Sequence, residues 1–402
     1  MAALKYWVWF TTLPGLTNRS KLLLLEHFPS PEDIYYAQPE DLLSSSQAAL
    51  LSDKSTDRAE DVLARCAKGD IFLLTMQDAL YPDRLRNIYD PPVLLYGRGR
   101  MPLFDEEAAV SVVGTRTCTP YGISAAEELG YQLAKEGAVV VSGLARGIDG
   151  ASHRGALRAG GFTAAVLGGG VDVVYPAENR RLYEDIAATG VLLSEYPPGT
   201  EPMGSHFPVR NRILSGLSLA VLVVEAPERS GALITANTAL EQGRDVFAVP
   251  GPIDAPNSRG SNRLIRDGAG LVTCGWDILE GYRSRFPHRL RPSPENLPPV
   301  PEQDSLPAQR AEESSPAKPE KKETPPALPV LDLTADTAGL TDDQIRILQV
   351  LTTDAPLLTD DVAERADLPI RRVLSALTVL EIDGYATQHG ARRFVRTVEI
   401  RL

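Results

Sequence analysis

The chain has little with which to cross-link, chelate or span. Three cysteines, Cys66, Cys118 and Cys274, stand in 402 residues. They have no metal or redox spacing, which points to reduced thiols in a cytoplasmic protein. Five histidines, at positions 27, 153, 206, 288 and 389, are scattered and form no metal set. No run of about 18 apolar residues occurs, so no membrane span is expected. Met1-Ala-Ala-Leu-Lys5 leads into Tyr6-Trp-Val-Trp-Phe10, too short and aromatic for a signal peptide. Basic residues are outnumbered, 41 against 53 acidic, for a net charge of -12. That balance weighs against broad coating of duplex DNA but leaves room for a local basic pocket. There is no G-x-x-x-x-G-K-[ST] phosphate loop, no G-x-G-x-x-G in the first strand-to-helix turn and no G-x-S-x-G elbow. Nothing resembles a catalytic constellation, and neither cofactor nor metal is expected.

What is present is a run of buried-strand signals between Val110 and Ala269. Val110–Val113, Ala138–Val141, Thr163–Leu167 and Leu219–Val224 are apolar, and each ends in a small or turn-forming residue group. Continuous apolar runs of this kind suit strands buried on both faces of a parallel sheet. Helical stretches follow most of them, at 124–136, 151–159, 180–188 and 232–242. The alternation predicts a doubly wound α/β domain, with ligands at the carboxyl ends of its strands.

The flanks differ. Residues 1–85 read as a small helical domain, with helices over Tyr6–Thr12 and Asn18–His27 joined through Leu13-Pro-Gly-Leu-Thr17. That hairpin is similar to helix-hairpin-helix and SAM-like domains, whose turn amides can hold a phosphate; it also suits a plain packing turn. The sheet domain is expected over 86–284, with Val93–Tyr96 as an edge strand. Residues 285–338 are rich in Pro, Glu, Lys and Ser and read as a disordered linker. Residues 339–402 carry three helices, starting at the Thr341–Gln344 capping box, Thr359 and Ile370, and then a hairpin. This is a winged-helix pattern. Arg371, Arg372, Arg392, Arg393 and Arg396 are its candidates for DNA contact. Many acidic residues offset them, so protein contact or autoregulation fits equally.

The chemistry lies in the central turns. Gly114-Thr115-Arg116 and Ser142-Gly143-Leu-Ala-Arg146-Gly-Ile-Asp149 combine close-approach glycines, free helix-start amides and arginine, which suits a phosphate. Gly168-Gly169-Gly170 closes a third strand. Asp149 fits a helix-start residue better than a catalytic acid. It lies four residues before His153, so a carboxylate–imidazole pair is conceivable beside a purely structural hydrogen bond. Arg180 and Arg181 follow a Pro-fixed turn. Phe207 stands beside Arg210, Asn211 and Arg212: a ring among cations can stack an unpaired base, or simply pack under the sheet. Ser230 opens a helix and can offer a hydroxyl or amide to an anion.

Taken in order, these motifs resemble a known family. Gly114-Thr-Arg, Ser142-Gly-Leu-Ala-Arg-Gly-Ile-Asp149, Tyr175-Pro-Ala-Glu-Asn179, Ser194-Glu195, Phe207-Pro-Val-Arg-Asn-Arg212, Ser230-Gly-Ala-Leu-Ile-Thr-Ala236, Val249-Pro-Gly251 and Asn262-Arg-Leu-Ile-Arg-Asp-Gly-Ala269 together look like the DNA-processing protein A (DprA/Smf) family. The resemblance implies an extended Rossmann-type domain that binds single-stranded DNA and forms a homodimer. It implies a non-enzymatic mediator that protects single strands, helps displace single-strand-binding protein and loads RecA recombinase in natural transformation or recombination. It places DNA contacts on Arg116, Phe207, Arg210, Asn211 and Arg212. With the turn residues Gly114, Gly143, Arg146, Gly169, Arg180, Arg181 and Ser230, these make up the expected nucleic-acid site. Some members carry lysines where this chain has Ala177 and, near the aromatic, Gly204. Two other readings compete: a nucleotide-ligand sensor or phosphoribohydrolase-like enzyme on the same fold, and a transcriptional reader using the winged helix. The Pro-Gly-Gly-x-Gly-Thr turn of those hydrolases is missing, and the winged-helix acids disfavour the reader.

Overall fold

The computed structural model describes residues 2–37, 45–293, 330–332, 340–353, 355–388 and 393–401. It falls into two compact units, Met1–Asp304 and Ser305–Leu402.

Among the described residues of the first unit, nine strands form one sheet. They are β1 (Phe72–Thr75), β2 (Leu94–Gly99), β3 (Ala109–Val113), β4 (Val139–Ser142), β5 (Thr163–Val166), β6 (Val191–Ser194), β7 (Ala220–Val223), β8 (Asp245–Ala248) and β9 (Gly270–Leu271). The spatial order is β1-β2-β6-β5-β4-β3-β7-β8-β9. From β6 to β9 all neighbours are parallel; β2 joins β6, and β1 joins β2, antiparallel. The four expected strands are present within a residue or so of their predicted ends. The helices that follow them are also present, Pro120–Lys135, Ile148–Arg158, Arg180–Thr189 and Gly231–Glu241, although the first two start four and three residues before the expected positions. Strand side chains alternate between faces. Ala109 and Val113 join one core with Val221 and Val223; Val110 and Val112 join another with Leu129 and Leu133 of the Pro120–Lys135 helix.

Three boundaries differ from the sequence reading. The segment at Val93–Tyr96 is not an edge: β2 lies between β1 and β6. The short run Phe72–Thr75 covers it, so the sheet starts before residue 86. At the other end Phe286 and Leu290 are buried in the sheet unit's core, beyond residue 284. The linker reading of 285–338 lies mostly outside the described residues, but Val330–Asp332 forms a strand pairing in parallel with Glu399–Arg401.

The N-terminal helices, Ala2–Thr12 and Asn18–His27, pack onto the sheet unit. Trp7, Val8, Phe10, Leu13 and Leu16 share a buried core with Tyr96, Leu167 and Leu192. Leu13 and Leu16 turn inward, and Asn18 donates to the Asp90 carboxylate and the Pro91 carbonyl. The hairpin is thus a packing turn, held against the strap that leads into β2.

In the second unit the Thr341 capping box opens the Asp342–Val350 helix, followed by Thr359–Ala366 and Ile370–Ile382. Ala386–Gln388 and Arg393–Arg396 form the antiparallel hairpin, joined on its other side by Leu357–Leu358. This is a winged helix. Arg392 lies outside the described residues.

Candidate nucleic-acid interface

Strand order reverses direction at β3, whose neighbours are β4 on one side and β7 on the other. Ligand crevices open at such switch points. Here a groove of about 620 Å³ is lined by the turns after β3, β4 and β7 and by the start of the His206–Leu217 helix.

Its walls are stitched by backbone. Thr115 N–H donates to the Glu225 carbonyl at 2.8 Å, tying the β3 turn to the β7 turn. Gly147, at φ +74°, sits against the Thr115 carbonyl, where a Cβ would come within 2.5 Å. Only glycine lets the β4 turn close on the β3 turn there. Glu225 accepts from both the amide and the hydroxyl of Thr119, fixing the start of the Pro120–Lys135 helix.

The rim carries the reachable chemistry. Arg116 is exposed, and its guanidinium lies over the Phe207 ring, 4.7 Å from the centroid. Phe207 is half-buried rather than a core ring. Gly168 lies against it, and the exposed Tyr175 ring stands 5.8 Å away, tilted by 34°. Arg229 is exposed on the opposite lip, beside Ser230 and Gly231 at the start of the Gly231–Glu241 helix. Ser230 caps that helix by accepting from Ala232 N–H, and the helix start favours an anion. Gly114 and Asn211 also line the groove. Three arginines and one aspartate face it, so it is locally basic in a chain of net charge -12.

The floor is different. Arg210 is 3% exposed and donates to the carbonyls of Gly143 and Val166. Burial pushes its pKa down to about 10, which leaves it cationic at neutral pH. Gly143 is small because that guanidinium fills the place of a side chain. Asp149 is buried nearby. Desolvation raises its pKa, while the Arg210 charge and the Ala145 amide pull it back. His153 does not pair with Asp149: its Nδ1 meets Thr163 Oγ1 at 2.6 Å, and burial lowers its pKa to about 3.

Several expected contacts therefore lie elsewhere. Arg212 binds the Asp90 carboxylate at 2.9 Å and Glu195 at 2.7 Å, and also donates to the Asp90 and Val209 carbonyls. Its fork is occupied, so with Arg210 it is a structural group rather than a free phosphate ligand. Arg146 is exposed but pairs with Glu178 outside the groove lining. Arg180 and Arg181 are exposed at the next helix start, also outside the lining. Gly169 borders a small adjoining recess with Gly143, Tyr175 and Phe207. Tyr175 and Arg229 were not singled out from the sequence. The signal for Tyr175 is its place in the Tyr-Pro turn, and for Arg229 its place next to the Ser230 cap.

Comparison with known proteins identifies the family. Residues 72–283 match the profile of DNA recombination-mediator protein A, and 316–392 that of the DprA winged helix domain. The chain belongs to the DNA recombination-mediator protein A family. Among relatives of this family, the DNA processing protein DprA of Streptococcus pneumoniae is 42% identical over 270 residues, 67% of this chain and 94% of that protein. DprA of Bacillus subtilis is 45% identical over 224 residues, 56% of this chain and 75% of that one. The X-ray structure of the Streptococcus pneumoniae protein superposes with a TM-score of 0.61 at 39% identity, covering 69% of this chain and 97% of that one. No helix among the described residues is long and apolar enough to cross a membrane.

Proposed function

We propose that this member of the recombination-mediator family binds single-stranded DNA in the β3–β7 groove and hands it to RecA recombinase, without chemical turnover. The reading is carried by the exposed Arg116 guanidinium stacked over the half-buried Phe207 ring at a basic switch-point groove. Arg116 and Arg229 take phosphates, the Gly231–Glu241 helix start adds amide donors, and Phe207 with Tyr175 offers a face to an unpaired base. A paired base keeps its faces inside the duplex, so the aromatic wall selects single strands. Displacement of single-strand-binding protein and homodimerisation belong to the same proposal.

Fluorescence anisotropy with labelled single-stranded and duplex oligonucleotides tests it. Binding is expected to favour the single strand. Arg116→Ala should weaken it on the order of tenfold and reduce the salt slope by about 0.7, one phosphate's share on single strands. Equal binding to both forms, or an unchanged slope in Arg116→Ala, overturns the assignment and makes nucleotide-ligand screens of the groove the next step.

A further inference from the structure

The groove is too small to hold a long strand by itself. Its volume of about 620 Å³ suits a ligand of one or two nucleotides, so a longer strand must leave it. At the Tyr175 end the exit is built from the turn after β4 and the start of the Arg180–Thr189 helix. Tyr175 and Ala145 both line the groove. Asn179, the residue before that helix, donates to the Leu144 and Ala145 carbonyls at 3.0 and 3.2 Å, which pins the helix start to the groove's own turn.

Three arginines without partners gather there. Arg154 belongs to the Ile148–Arg158 helix and folds back towards its start. A Cβ on Gly150 would meet an Arg154 guanidinium nitrogen at 3.4 Å and the Asn179 amide nitrogen at 3.5 Å. The Arg154 charge also reaches Cys118, two residues from Arg116. Arg180 and Arg181 follow Asn179 directly. All three arginines are exposed, and none has a hydrogen-bond or ion-pair partner among the described residues. The neighbouring carboxylates are already matched or distant. Glu178 pairs with Arg146, and Asp149 is buried under the influence of Arg210. Glu184 and Asp185, a turn further along, pair with neither Arg180 nor Arg181. The patch is therefore positive in a chain of net charge -12.

We propose that Arg154, Arg180 and Arg181 form a phosphate track outside the groove, taken by the stretch of single strand that leaves past Tyr175. The track rests on the single-strand reading of the groove and adds a separate site to it. The groove engages a base and its phosphates; the track engages the phosphates that follow and is blind to base identity. Strand length decides whether it is used. The Arg146–Glu178 pair bridges the same two turns. An exposed ion pair of this kind is weak, so a phosphate can replace the carboxylate on Arg146.

Anisotropy of the full chain with a thymidine tetramer and a thymidine twenty-mer, each across a salt series, tests the track. The triple variant Arg154→Ala, Arg180→Ala, Arg181→Ala should lower the salt slope on the twenty-mer by about 2, three phosphates' share, and weaken binding on the order of tenfold. The tetramer should be bound as by the wild type. Lysine at the same three positions should keep the wild-type slope. A control with the same charge loss at the exposed Arg19, Arg283 and Arg285 should leave the slopes on both oligonucleotides unchanged. An unchanged twenty-mer slope in the triple alanine variant overturns the track; so does an equal loss on the tetramer, or an equal loss in the control. Failure of the groove reading looks different: Arg116→Ala then leaves the tetramer's affinity and slope at the wild-type value.

Discussion

The rim and the floor of the groove use the same residue type for opposite ends. Arg116 and Arg229 stand exposed at the rim. Arg210 and Arg212 lie a few ångströms of sequence-defined helix from Phe207, yet both are consumed by the protein: Arg210 by two carbonyls, Arg212 by two carboxylates. An arginine is a ligand group only where its donors are left over. The floor arginines hold the turns in place so that the rim arginines can be offered to an anion.

The contrast predicts a separation of stability from affinity. Arg210→Ala should give the largest effect, about 3–5 kcal/mol in urea unfolding, because it leaves buried carbonyls without donors and Asp149 without its countercharge. Arg212→Ala should cost about 2 kcal/mol, and well below its melting temperature the variant should bind single strands as the wild type does. A loss of binding in Arg212→Ala without loss of stability would reverse the assignment of floor and rim.

His153 gives the floor a pH dependence. Its folded pKa, about 3, lies below the ordinary value of 6.5. The unfolded chain therefore takes up the proton first, and this contribution is complete above about pH 6.5 and lost as pH falls towards 3. The slope is about 1.4 kcal/mol per pH unit within that window. Asp149, with a raised pKa, contributes in the opposite direction and loses its share as pH rises. The comparison of wild type with His153→Asn, by urea unfolding at several pH values, removes Asp149 from the difference. A pH slope identical in both proteins would show that the imidazole is not held neutral.

The smallest effect is a gain. Gly204 lines the groove, and a side chain added there meets no atom within 4 Å. Gly204→Lys should tighten single-strand binding a few-fold and steepen the salt slope by about 0.7 without changing stability. An unchanged slope would place the strand's path away from that lip.

Much of this architecture was legible in the sequence. The strands β3, β4, β5 and β7 are short apolar runs followed by a turn with glycine or proline. The Thr341–Gln344 capping box is a local signal and formed as read. The groove's turns were legible because glycine and arginine together at strand ends have few structural uses. The roles of Arg210 and Arg212 were not. The carbonyls of Gly143 and Val166 lie 67 and 44 residues away in the chain, and Asp90 lies 122 residues away. No local pattern announces such partners. β1 was missed because four residues, Phe-Leu-Leu-Thr, carry too little periodicity to separate a strand from a helix end. The partner of Arg372 was not legible either: Asp343 lies 29 residues away in the chain.

The backbone stitching of the groove bears on how a strand is received. The bond from Thr115 to Glu225, and the glycine at 147 seated on the Thr115 carbonyl, hold the turns in register without a ligand. For a single strand bound as proposed, most of the ordering then falls on the oligonucleotide. Its capture should resemble threading onto a fixed rail, with the entropy loss scaling with the nucleotides immobilised and little heat-capacity change from the protein itself.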